Sequence, residues 1–139
     1  MIGKAMAGND TLRGFRSLCS PNRKETDMII YAVIVFAIAA LGGLYLAGHV
    51  LRDKFAPWAV SVLHAGLGAL GLILLIAALI QGNASQAVLI GFVILLVAAL
   101  GGFFLASFHL RKNLPPKAVV VVHAGVAVVG FLTVLSQVF

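Results

Sequence analysis

The chain has 139 residues, of which 62% are hydrophobic and only 10% are charged, and its mean hydropathy is +1.12. A soluble domain carries about 25% charged residues, so this composition excludes an ordinary water-soluble protein. The formal net charge of +6 does not indicate nucleic-acid binding, because the basic residues are divided between an N-terminal segment and two short loops. We therefore expect no nucleic-acid partner.

Residues 1–27 form a polar segment of mixed charge. It lacks the apolar core of a signal peptide, so we expect it to be retained. Two interpretations of Thr11–Leu18 stay open, namely an amphipathic turn on the membrane surface and a frayed tail. Cys19 is the only cysteine in the sequence, which excludes an internal disulfide and covalent c-type haem attachment.

Four apolar runs follow, each close to the about 20 residues that a helix needs to cross a bilayer. They cover Met28–Leu51, Pro57–Ile80, Ser85–Leu110 and Lys117–Val138. The sequence therefore predicts an all-α integral membrane protein, a four-transmembrane-helix up-down bundle with short connections. The flanking cations are divided equally between the two membrane faces, so they give no orientation. We expect a multi-pass protein of a bacterial cytoplasmic membrane, in contact with lipids.

An internal repeat organises these runs. A shift of 59 residues aligns 39–71 with 98–130, and 17 of the 33 positions are then identical, including Gly42, Arg52, Pro57 and His64 with their counterparts. The sequence therefore predicts two tandem hairpins, residues 28–80 and 85–139, related by a pseudo-twofold axis along the membrane normal. Helices two and four would then face each other diagonally, as would helices one and three.

Histidine occurs four times. His64 and His123 occupy equivalent repeat positions, roughly 10 Å below the membrane boundary at 1.5 Å per residue. A polar, ionisable side chain at that depth indicates a functional site, or else a hydrogen bond to a serine or carbonyl on a neighbouring helix. His49 and His109 are one residue out of register with each other, about 100° of helix rotation, so they do not point symmetrically.

Small residues lie four and seven positions beyond each inner histidine: Gly68, Gly71, Ala127 and Gly130. They share the histidine's helix face, and together they predict a flat slot between helices two and four. Such a slot suits a haem with two axial imidazoles, and Arg52 and Arg111 are candidates to bind its propionates. The alternative is that the glycines only permit close helix crossing.

Paired histidines on facing helices with nearby glycines resemble the ligation style of membrane b-type cytochromes, without a family-specific motif. The favoured function is electron transfer by a protein or subunit that binds one haem b through His64 and His123. Iron with two histidine ligands has no open site for a substrate, so a carrier is favoured over an enzyme. Quinone and other membrane subunits are the expected partners.

Several alternatives stay open. His49 and His109 are secondary candidates for a second haem, although edge-lining or proton-handling roles are favoured for them. The chain would otherwise be a pigment-binding or cofactor-free accessory subunit, or a carrier of zinc or copper. Transport is disfavoured, because all four acidic residues lie outside the apolar runs.

Overall fold

A computed structural model describes residues 23–82 and 84–139, apart from the side chain of Glu25. In these ranges all regular secondary structure is helical, and four helices form: α1 (Arg23–Leu51), α2 (Trp58–Ile80), α3 (Gln86–Leu110) and α4 (Lys117–Leu135). All four are long and apolar enough to cross a membrane. The all-α class and the four apolar helices are thus confirmed. The predictions for Thr11–Leu18 and Cys19 lie outside the described residues.

Helices α2, α3 and α4 begin directly after residues that favour the N-terminus of a helix. Pro57 (φ −63°, ψ 127°) and Pro116 (φ −59°, ψ 129°) are the N-caps of α2 and α4. Proline suits this place because its ring fixes φ and it has no N–H that needs a partner. At the start of α3, the Ser85 hydroxyl accepts a hydrogen bond from the backbone N–H of Val88 at 3.3 Å. Helices α2, α3 and α4, which follow a proline or a serine, therefore begin close to the first residues of the predicted apolar runs.

The turns that end α1 and α3 repeat the same geometry. Asp53 and Lys112 adopt left-handed backbone conformations with φ of 59° and 56°. The Lys54 N–H donates to the His49 carbonyl at 2.9 Å, and the equivalent bond in the second turn is 3.0 Å. This pattern is a Schellman-type cap, which satisfies a carbonyl at the end of each helix. Both hairpins therefore reverse direction by the same turn.

The helices pack mainly within hairpins. α1 packs along α2, and α3 packs along α4, while α2 contacts α3 and α1 contacts α4 between the hairpins. Among the described residues, the backbones of α2 and α4 do not come within 8 Å (Cα to Cα), nor do those of α1 and α3. α2 and α4 therefore lie on one diagonal of the bundle, so only side chains can connect them.

The apolar core lies at the end of the bundle away from loops 52–57 and 111–116. It comprises buried side chains from all four helices: Ile29, Ala32, Phe36, Leu75, Ala78, Val88, Leu95 and Val134. Glycines allow the helices to approach closely here, since a Cβ at Gly91 would lie 2.6 Å from Val134. The remaining half of the bundle, nearer the loops, contains the histidines.

Candidate histidine site

His64 of α2 and His123 of α4 meet across the bundle diagonal. Their ring centroids are 6.3 Å apart, and the ring planes cross at 78°. Both side chains are half-buried. The structure therefore brings together the two histidines that the repeat places in equivalent positions, although the helices that bear them do not touch through their backbones.

Each of these imidazoles is fixed by a hydrogen bond within its own hairpin. Nδ1 of His64 lies 2.8 Å from the Ala39 carbonyl oxygen, and Nδ1 of His123 lies 2.9 Å from that of Ala98. A carbonyl oxygen can only accept, so Nδ1–H must donate, and Nε2 of the neutral ring keeps its lone pair. Metal-binding histidines commonly hold their second nitrogen in this way. Both rings thus have one nitrogen suited to bind a further ligand.

Paired glycines on the neighbouring helix make room for each ring. A Cβ added at Gly43 would lie 2.9 Å from Cε1 of His64, and a Cβ at Gly102 would lie 3.4 Å from Cε1 of His123. The candidate site predicted from the sequence did not include these glycines. Their recurrence in the repeat at a constant distance before histidine is the signal that could have revealed their role in positioning the imidazoles.

A cavity of about 130 Å³ lies beside the imidazoles and is lined by residues of all four helices. Gly68 and Ala127, each one turn beyond an inner histidine, are part of its wall. Larger side chains close its deeper part: Phe36, Leu72, Leu95 and Phe131. The inner histidines therefore border an apolar space on the bundle axis.

The other two predicted slot residues lie in close helix contacts. A Cβ at Gly71 would lie 2.6 Å from the ring of Phe36, and a Cβ at Gly130 would lie 2.8 Å from Leu95. Both glycines are buried. Their geometry matches the alternative interpretation, in which glycine permits tight crossing of helices.

The histidines and the cavity differ in how well they suit a haem. A metal-bound imidazole nitrogen lies about 2 Å from the ion and about 1 Å from its ring centroid, so opposed ligands have centroids roughly 6 Å apart. The centroids of the inner pair, 6.3 Å apart, agree with this separation. Pockets for drug-sized ligands usually have about 300–1,000 Å³, so the cavity of about 130 Å³ must widen before it holds a macrocycle. No group of three or more metal-ligating side chains exists among the described residues.

The outer histidines have separate aromatic partners. The His49 ring lies 4.5 Å from that of Tyr45, and its Nδ1 is 3.0 Å from the Tyr45 carbonyl oxygen. The His109 ring lies 4.8 Å from Trp58 and 6.2 Å from Phe55. No ring contact between His49 and His109 occurs in the described part of the chain. The structure therefore does not bring the outer pair together as it does the inner pair.

The duplicated arginines lie at the loop end. Arg52 and Arg111 are exposed, and neither guanidinium forms a side-chain hydrogen bond or ion pair with another described residue. A neighbouring ion pair links the hairpins, with Lys117 Nζ 2.8 Å from an Asp53 carboxylate oxygen. Because this pair is exposed, it contributes only about 0–1 kcal/mol. The loop end therefore carries exposed cationic groups.

No protein-family model, curated protein or solved structure matches the chain. Fold alone does not determine function, so the proposal below depends on the geometry and chemistry of the histidine pair.

Proposed function

We propose that the chain is an integral membrane protein of two tandem hairpins related by a pseudo-twofold axis along the membrane normal. Large apolar side chains on its outer surface support insertion, since Leu41, Ile80 and Phe103 are 69%, 78% and 70% exposed. The hydrogen bonds that Ala39 and Ala98 accept from histidine support the repeat, because they join equivalent residues in each half. A bacterial cytoplasmic membrane remains the proposed location.

Within this bundle, the proposed function is electron transfer through one haem b bound by His64 and His123. The observation that carries the proposal is the pair of imidazoles 6.3 Å apart, each with Nδ1 held by a carbonyl. A bound haem would supply reversible one-electron chemistry, and two histidine ligands leave no coordination position for a substrate. The chain itself contributes the two nitrogens and their orientation.

The surroundings of the pair have distinct proposed roles. Gly68 and Ala127 leave the space into which the ring extends, and Gly71 and Gly130 hold the helices together below it. Arg52 and Arg111 bind the propionates as charge-assisted partners. Accommodation of the ring requires the hairpins to move apart, because the cavity is smaller than the cofactor.

Electron exchange would involve partners within the membrane. The described loops are short, so the chain offers little extramembrane surface for a soluble donor or acceptor. Quinone or another membrane subunit is therefore the proposed partner class. The chain is a carrier or accessory subunit in this scheme, not an enzyme with its own substrate.

A cofactor-free accessory subunit is the second candidate, and the same two hydrogen bonds favour it. A half-buried imidazole that donates to a backbone carbonyl is partly satisfied without a ligand. The cavity of about 130 Å³ also needs no occupant larger than a few atoms. In this alternative, His64 and His123 stabilise their own hairpins.

Optical spectra of the purified protein, oxidised and dithionite-reduced, separate these functions. The haem proposal expects sharp reduced bands of six-coordinate iron at one haem per chain. A featureless visible spectrum from cells with ample haem would contradict it and favour the cofactor-free subunit. Long-wavelength absorption would instead identify a pigment-binding protein.

A further inference from the structure

The two ends of the bundle are packed differently. The core cluster closes the end away from the loops, with Phe36, Leu75 and Val134 among its buried side chains. At the loop end, the buried apolar residues are few and small: Val50, Ala56 and Val120. Because local stability follows buried apolar contact, the loop end is the part of the bundle that opens more readily.

The hairpins themselves are tightly joined. Within the first hairpin, a Cβ at Gly43 would lie 2.9 Å from His64, and one at Gly71 would lie 2.6 Å from Phe36. Within the second hairpin, a Cβ at Gly91 would lie 2.6 Å from Val134. Such close contacts resist sliding or separation of the two helices of a hairpin. Since the helices also pack more extensively within the hairpins than between them, opening at the loop end occurs more readily between the hairpins.

Besides the ring contact of Phe55 with His109, two contacts between described side chains cross between the hairpins at this end. Trp58, at the start of α2, stacks on His109, in the last turn of α3, with ring centroids 4.8 Å apart. Asp53, in the first loop, pairs with Lys117, at the start of α4, at 2.8 Å. Trp58 is 47% exposed, and the side chains of Lys117 and Asp53 are 48% and 71% exposed. We call these two contacts the loop-end latch.

We propose that the loop end is the entrance to the inner histidine pair and that the loop-end latch, whose exposed contacts are weak, closes this entrance reversibly. The hairpins separate there as two rigid units while the apolar core at the opposite end keeps them together. His64 and His123 lie between the entrance and the core, beside the cavity. This inference gains its functional meaning from the proposed haem, since it gives the route by which the cofactor reaches its ligands.

A reversible cross-link across the latch tests the inference without haem. In a Cys19→Ser background, Asp53→Cys and Lys117→Cys are bridged with a short, reducible bis-thiol reagent. Ser85→Cys and Gln137→Cys form the control pair, because the native side chains are hydrogen-bonded at 2.6 Å within the second hairpin, at the opposite end of the bundle, so that their bridge does not join the hairpins. Comparison of bridged and reduced forms of each variant cancels any effect of the substitutions on folding.

Diethyl pyrocarbonate, which acylates neutral imidazole, reports access to the inner pair, and mass spectrometry measures modification at each site. Compared with the reduced form, the bridge between positions 53 and 117 should remove most modification of His64 and His123, while modification of His49 persists. Bridging 85 to 137 should leave all three unchanged. Equal modification of the inner pair with and without the 53–117 bridge would overturn the inference, as would an inner pair that is unreactive in every form. Haem content of the unbridged protein, measured separately, tests the proposed function alone.

Discussion

His64 and His123 lie 59 residues apart in the sequence and on different hairpins, yet their ring centroids are 6.3 Å apart. The hydrogen bonds of both rings stay within a hairpin, where Ala39 and Ala98 are the acceptors. A ligand bound to Nε2 of both rings would therefore connect the hairpins, whereas the hydrogen bonds alone do not.

Substitution of Gly68 tests whether the cavity holds the haem macrocycle. Gly68→Leu should give a helical, membrane-inserted protein that lacks haem, because the new side chain fills space the macrocycle needs. Gly66→Leu is the matched control, since a Cβ at either glycine meets nothing within 4 Å but only Gly68 lines the cavity. The haem-to-protein ratio and circular dichroism check the outcome. Normal haem content in Gly68→Leu would exclude a ring at this place.

Gly71 tests the close packing of α1 and α2. Gly71→Ala should reduce the free energy of unfolding by roughly 1–3 kcal/mol, because the added Cβ would lie 2.6 Å from the Phe36 ring. Gly66→Ala should be neutral or stabilising by up to about 1 kcal/mol, since alanine favours a helix and the space is open. Reversible unfolding in mixed micelles measures both. Equal effects of the two substitutions on the free energy of unfolding would contradict a close contact between Gly71 and Phe36.

The glycines beside the two imidazoles are predicted to differ in how well they tolerate an added Cβ. Gly43→Ala should displace His64, because its Cβ would lie 2.9 Å from Cε1, whereas Gly102→Ala leaves 3.4 Å at His123 and needs only a small adjustment. In haem-loaded protein, Gly43→Ala should therefore cause the larger change in bound haem and in the low-spin spectrum. A larger effect of Gly102→Ala would show that this difference between the hairpins has no bearing on ligation.

Arg52 and Arg111 test the proposed binding of propionates. Arg52→Gln and Arg111→Gln each remove a positive charge near the iron, which favours the oxidised form, so the midpoint potential should fall. Haem should also be lost more readily on dilution in detergent. Lys54→Gln, in the same loop but without a repeat counterpart, is the control in redox titrations. The same shift in all three variants would assign the arginines to membrane anchoring instead.

The sequence predicted the helices well because a bilayer-length apolar run has few alternatives to a helix. It placed the start of α1 at Met28, whereas the helix already includes Arg23, the first described residue. Hydropathy marks where a chain enters lipid, but lysine, arginine and glutamate are strong helix formers and continue the helix into the polar segment. The structure therefore extends α1 beyond the apolar run.

The meeting of His64 and His123 was predictable because the repeat carries long-range information that local pattern lacks. The depth at which the glycines lie in the bundle was not predictable. Gly71 shares a helix face with His64 but lies about 10 Å further along the helix, where Phe36 of α1 fills the space. The acceptors Ala39 and Ala98 also escaped prediction, since a backbone carbonyl has no residue-specific signature.

The haem-to-protein ratio of the wild type and of single histidine variants tests the central claim most directly. The account predicts one haem per chain in the wild type and in His49→Ala, and loss of stoichiometric haem in both His64→Ala and His123→Ala. Retention of the circular dichroism spectrum would show that these two variants stay folded. Full haem content in either His64→Ala or His123→Ala, or a wild type without haem under haem-replete expression, would contradict ligation by the inner pair.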